Sequence, residues 1–230
     1  MKVRQSPAGS AISEEPRWHA SVAVILSLVL YITLPPRLTF GPLWLVPLLT
    51  LSLLIPLSIV APARSGEKHW QRVASVALIA IVNAANILSL ALLIHSLTHP
   101  THRHTATGRE LLLAAFQIWL TNVLVFGLWY WESDGGGPDA RSQSANDASK
   151  RIDFLFPQVA SSQVLRGQSS PRWKPKFFDY LFLSFCTATA FSPADTYPLT
   201  STGKFLMMTE ALVSFITIAV IAARAINIIS

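Results

Sequence analysis

Four side chains near the end of the sequence have the chemistry to meet a cation: Thr187, Thr189, Asp195 and Glu210. Hydroxyls and carboxylates are oxygen donors, and oxygen donors suit hard cations. Glu210 lies about two turns into a long apolar run, where a carboxylate is costly to bury and often functional. The other reading of Glu210 is positional: Lys204 precedes it closely, so the carboxylate can still lie near an interface. Asp195 reads either as a cation ligand or as a helix cap.

A second set is made of amides. Asn83, Asn86, Gln117 and Asn122 sit inside apolar runs. Their ordinary use is hydrogen bonding between helices, worth about 1 kcal/mol or less each. Their functional use would be a polar path or a substrate contact. A third set is His95, His99, His102 and His104. His95 and His99 share a helix face, and imidazole suits zinc, copper or nickel. No carboxylate or cysteine accompanies them, and Pro100 breaks the helix between the pairs. An interfacial polar loop is the simpler reading, so no metal site is expected.

These residues need scaffolds, and the hydropathy pattern supplies them. The chain of 230 residues is 51% hydrophobic and only 13% charged. Soluble domains carry roughly a quarter charged residues. A bilayer is therefore the expected solvent. Residues 1–18 read as a polar arm, with no convincing cleavable leader. Residues 19–131 read as four spans: His19 to Leu34, Pro42 to Val60, Val73 to Leu97 and Glu110 to Trp131. The run Trp129-Tyr130-Trp131 reads as an aromatic belt at the membrane surface.

Residues 132–176 read as a flexible polar linker, opened by Gly135-Gly136-Gly137-Pro138. The island Ile152-Asp153-Phe154-Leu155-Phe156 within it could rest on lipid or on a helix. Residues 177–230 read as a short helix from Phe177 to Ser192, a turn, and a final span from Lys204 to Ile229. The short helix would measure about 24 Å, so it either spans with difficulty or re-enters. Arg224 is close enough to the end to snorkel. The expected fold is all-α: a polytopic transmembrane helix bundle of five long helices plus one short spanning or re-entrant helix. If all six segments cross, the positive-inside rule puts the N-terminus in the cytoplasm. A multi-pass protein of the cell membrane is expected, with the lipid bilayer as its main partner and a homo-oligomer as a further one.

Several classes find no support. Cys186 is the one cysteine, so no disulfide forms within the chain. No nucleotide-binding glycine loop, metalloprotease motif or nucleophile elbow occurs. An enzyme, a cofactor and a nucleic-acid partner are not expected. The basic linker is explained more simply by anionic lipid heads.

Residues 187 to 204 carry a resemblance. They read Thr-Ala-Thr-Ala-Phe-Ser-Pro-Ala-Asp-Thr-Tyr-Pro-Leu-Thr-Ser-Thr-Gly-Lys. This resembles the filter and tail of potassium-channel-like pore domains, roughly T-x-x-T-x-G-Y-G-D followed by x-x-P-x-T-x-x-G and a basic residue. Thr189 matches the filter threonine, and Asp195 the aspartate after it. Pro198, Thr200, Gly203 and Lys204 match the tail. Phe177 to Ala188 would then be a pore helix, and Lys204 to Ile229 an inner helix. The filter is degenerate: Ala190-Phe191-Ser192-Pro193-Ala194 replaces Gly-Tyr-Gly. A potassium filter lines its pore with backbone carbonyls, a shape its glycines permit. Proline fixes φ and removes a donor, so potassium selectivity is not expected here. The whole chain also resembles an uncharacterised bacterial family of multi-spanning membrane proteins.

The resemblance implies a channel-like protein passing small cations, with Thr187, Thr189, Asp195 and Glu210 as polar lining. Two alternatives stand beside it. One is a non-conducting structural or accessory membrane protein. The other is a small-solute transporter with its path among spans three, four and six.

Overall fold

The computed structural model describes residues 18–39, 41–42, 44–60, 69–98, 107–143, 152–159, 173–189 and 195–229. His99, His102, His104 and the filter-like residues 190–194 lie outside the described residues, as does most of the arm 1–18. Seven helices carry the described structure: α1 (Trp18–Ile32), α2 (Leu45–Val60), α3 (His69–Thr98), α4 (Gly108–Ser133), α5 (Pro138–Gln143), α6 (Phe177–Thr189) and α7 (Ser201–Ile229). Two short strands, β1 (Phe154–Leu155) and β2 (Tyr197–Pro198), pair antiparallel, with Phe154 opposite Pro198 and Leu155 opposite Tyr197.

Fewer helices are long than the sequence suggests. Three contain stretches long and apolar enough to cross a membrane: Trp70–Thr98, Gly108–Gly136 and Ser201–Ala223. Against the five long helices expected, α1 has 15 residues and α2 has 16. At 1.5 Å per residue these reach about 22 to 24 Å, short of a hydrocarbon core about 30 Å thick. The physical reason is local. Pro35 and Pro36 have no N–H to continue α1, and Pro36–Leu38 forms a tight turn instead.

The entry to α4 is closed by a reciprocal cap. Glu110 N–H donates to the Thr107 hydroxyl and Thr107 N–H to the Glu110 carboxylate, both at 3.3 Å. Arg37 bonds the same carboxylate at 3.1 Å, and Gln117 donates to Thr33 Oγ1 at 2.9 Å. These contacts fasten the end of α1 to the start of α4.

Helix α4 is the centre of the molecule. Thr121 through Leu128 are all buried, and a helix buried on every side is surrounded by others. It contributes to both apolar cores, one with α1, α3, β1 and α6, the other with α1, α2, α3 and α7. The aromatic run at its end is not a surface belt. Tyr130 and Trp131 are buried, because the chain beyond them folds back over the helix end.

Helix α6 runs antiparallel to α4. Trp131 stacks edge-on against Phe177, Gly127 meets Leu181, and Trp119 meets Phe185. A Cβ at Gly127 would lie 3.2 Å from Leu181 Cα, so this glycine sets how closely the two helices approach. Helix α7 is antiparallel to α4 as well, with Glu210 beside Tyr130 and Ser214 beside Asn122. Consecutive helices α6 and α7 therefore point the same way. Strand β2 and the start of α7 lie at the end from which α6 starts.

Candidate functional site

The most polar place in the interior is where α4, α6 and α7 meet. Glu210, from α7, is 0% exposed. Its Oε2 accepts the Tyr130 hydroxyl from α4, and its Oε1 contacts the Ser184 hydroxyl from α6. Ser184 also bonds the Val123 carbonyl of α4 at 2.7 Å. One turn further along, Asn122 donates to Ser214 Oγ at 2.8 Å and to the Glu210 backbone carbonyl at 3.4 Å. Three helices are thus stitched at one level by side chains far apart in sequence. Burial of such groups is tolerable because nearly all their polar atoms find a partner, the Asn122 Oδ1 being the exception.

A second polar hub closes the end of the bundle. Asp134 is 2% exposed. Its Oδ1 accepts the backbone N–H groups of Asp153 at 2.6 Å and Phe154 at 3.2 Å. Its Oδ2 accepts the Tyr180 hydroxyl at 2.5 Å. Arg141 reaches back to the carbonyls of Trp131 at 2.7 Å and Asp134 at 2.6 Å. A cation at the C-terminal carbonyls of a helix is favourable. Gly135, Gly136 and Gly137 all have positive φ, at 59°, 86° and 97°. This is backbone that side-chain-bearing residues rarely adopt, and it turns the chain sharply after α4.

The apolar island of the polar stretch therefore docks on helices. Phe154 and Phe156 are buried against Tyr130 and Tyr180. The contact extends to α7. Thr200 caps it, accepting Gly203 N–H at 3.1 Å, and donates to the Asp153 carboxylate. A Cβ at Gly203 would lie 3.3 Å from the Asp153 carbonyl and 3.4 Å from the Phe154 ring. Pro198, Thr200 and Gly203 of the channel-like tail are accounted for here by strand pairing, capping and close approach.

The sequence-derived candidates scatter. Glu210 and Asn122 come together in the joint. Thr187 lies beside it, facing the Tyr130 hydroxyl, and bonds the Leu183 carbonyl of its own helix at 2.9 Å. Thr189 bonds back to Phe185 at 3.0 Å. Asp195 is exposed, in a cleft with Asp179 and Thr196. Gln117 binds Thr33 at the far end of α4. Asn83 Oδ1 and Asn86 Nδ2 are buried on α3 without a hydrogen-bond partner. Within one chain, then, Glu210 of α7 faces two packed helices, α4 and α6, and among the described residues is fully enclosed.

Tyr130, Ser184, Asp134 and Tyr180 carry no spacing signal that would group them in advance. One cue existed: a carboxylate in an apolar run demands donors, and Tyr130 and Ser184 are hydroxyls inside neighbouring apolar runs. Among the described residues no group of three or more His, Cys, Asp or Glu is placed to hold a metal. No family model matches the chain, and neither a curated protein nor a solved structure matches it.

Proposed function

We propose that this chain is an integral protein of the cell membrane that carries a re-entrant, channel-like hairpin and passes small cations as a symmetric homo-oligomer. The observation that carries the reading is the shared direction of α6 and α7. Both start beside the end of α4, as Tyr180 at Asp134 and Thr200 at Asp153 record. Helix α6 has 13 residues, about 20 Å, and β2, which leads into α7, pairs with β1 at the end where α6 begins. Outer helix, short inward helix, return segment and inner helix follow in that order, as the resemblance at residues 187 to 204 implies. This favours a re-entrant α6 over a sixth crossing.

Two further features support membrane and oligomer. Phe178, Phe182 and Phe185 on α6, with Phe205, Met208 and Phe215 on α7, are exposed. So large an apolar surface is unusual on a soluble monomer. Irregular backbone at membrane depth is tolerated where protein or a water-filled cavity covers it, and copies around an axis would supply both. In this arrangement Thr189 and Asp195 remain as lining, while Glu210 braces the hairpin from behind.

The test has two arms. With Cys186 replaced by serine, single cysteines at Lys174 and Tyr197 should react with a membrane-impermeant reagent from one side only, and from the same side. Opposite sides would make α6 a span and end the pore reading. In planar bilayers the purified protein should conduct, and Asp195→Asn should lower cation conductance severalfold.

A second reading, a non-conducting packing or accessory protein, is favoured by the sealed position of Glu210. It predicts co-purification with a fixed partner and no current. The transporter reading draws on the unpaired Asn83 and Asn86, and would require saturable uptake lost in Asn83→Leu.

A further inference from the structure

The hydroxyl of Ser184 has one proton and two oxygens to serve. Its Oγ lies 2.7 Å from the Val123 carbonyl and also contacts Glu210 Oε1. A serine hydroxyl donates once and accepts through its lone pairs. Were Glu210 ionised, one of these two contacts would press oxygen against oxygen with no hydrogen between them. A proton on the carboxyl removes the conflict. Glu210 then donates to Ser184, Ser184 donates to Val123, and Tyr130 donates to the other carboxyl oxygen.

The surroundings point the same way. Glu210 is 0% exposed. Helix α4 faces it with Tyr130 and with Asn122, whose amide is directed to Ser214 and to the Glu210 backbone. Helix α6 faces it with Ser184, which does not titrate. Among the described residues no Lys, Arg or His pairs with it. An isolated carboxylate enclosed in this way takes up a proton rather than hold its charge.

We propose that Glu210 is a proton-binding site: the joint holds it as a neutral carboxylic acid, and its bound proton fastens α6 to α4 and α7. Loss of that proton obliges Ser184 to turn from Val123 to Glu210. The α6–α4 bond is then given up, and α6 loosens on its neighbours. The inference rests on the packing of three helices and not on conduction.

Infrared spectroscopy of the protein in lipid reads it directly. At a pH where aqueous carboxylates are ionised, the spectrum should keep the carbonyl band of a protonated carboxyl group. That band should shift in heavy water, vanish in Glu210→Gln and survive in Glu132→Gln. Spectra of wild type and Glu210→Gln that superimpose in this region would overturn the proposal. If Glu210→Gln does not fold, Ser184→Ala decides. Removing the acceptor should move the band to higher frequency, and an unmoved band, or none in the wild type, overturns it. A spanning α6 or an absence of current would end the channel reading and leave this band in place.

Discussion

In the half of the molecule built from α4, α6 and α7, two polar hubs link the helices, whereas in the half built from α1, α2 and α3 the helices meet mainly through apolar contact. In the first, Glu210, Tyr130, Ser184, Asn122, Ser214, Asp134 and Tyr180 all have partners on another segment. In the second, Asn83 Oδ1, Asn86 Nδ2, Thr50 Oγ1 and Ser89 Oγ are buried with none, as in the first are Asn122 Oδ1 and the Trp119 and Trp129 indole nitrogens, which stand beside the hubs rather than in their bonds. Ser27 and Ser75 there bond only to their own helices. Apolar contact is non-directional and tolerates sliding. A hydrogen bond with a buried partner does not, since breaking it leaves both groups unsatisfied. The first half is therefore pinned in register, and the second is held mainly by fit, with the end of α1 fastened to α4.

The contrast can be broken at several points. Glu210→Ala should have the largest effect, about 3 kcal/mol of lost stability, because it leaves a cavity and strands the buried Tyr130 hydroxyl. Thermal unfolding in detergent measures it. Gly127→Val comes next, at about 2 kcal/mol, since the added atoms meet the α6 backbone and force the helices apart. Denaturant unfolding should show the loss, and crosslinking between α4 and α6 should weaken with it.

Asp134→Asn should cost about 1 to 2 kcal/mol, because an amide cannot accept at both positions where the carboxylate does. Hydrogen exchange should rise locally, at Asp153 and Phe154. The smallest effect belongs to the other half. Asn86→Leu should change stability by less than about 0.5 kcal/mol, or raise it, since no bond is lost. A loss in Asn86→Leu as large as that in Glu210→Ala would erase the distinction between the halves.

Much of the architecture was legible in residue order. Long apolar runs marked α3, α4 and α7, and the Thr107–Glu110 spacing carries its own cap. Thr200 and Gly203 stood out only as part of a tail leading into α7, and their cap and close approach to Asp153 and Phe154 emerge with the fold. Less was legible where bonds link distant positions. Asp134 stands in what reads as a polar linker, and only folding brings it under Tyr180. The triple glycine reads as slack, yet its positive φ values make a defined reversal. Tyr130 reads as interfacial from its neighbours Trp129 and Trp131, and the partner that draws it inside is 80 residues away. The bounds of α1 and α2 were legible to within a few residues, but both are too short to cross a bilayer as regular helices.

The small β1–β2 pair has a mechanical consequence. The strand of Phe154 and Leu155, with Asp153 just before it, is held by Asp134 at the foot of α4 and, through the Asp153 carboxylate, by Thr200 at the head of α7. Tension along the chain on either side of that strand is delivered to both helices together, at the point where each begins or ends. The pair acts as a clasp that makes the foot of α4 and the head of α7 move as one.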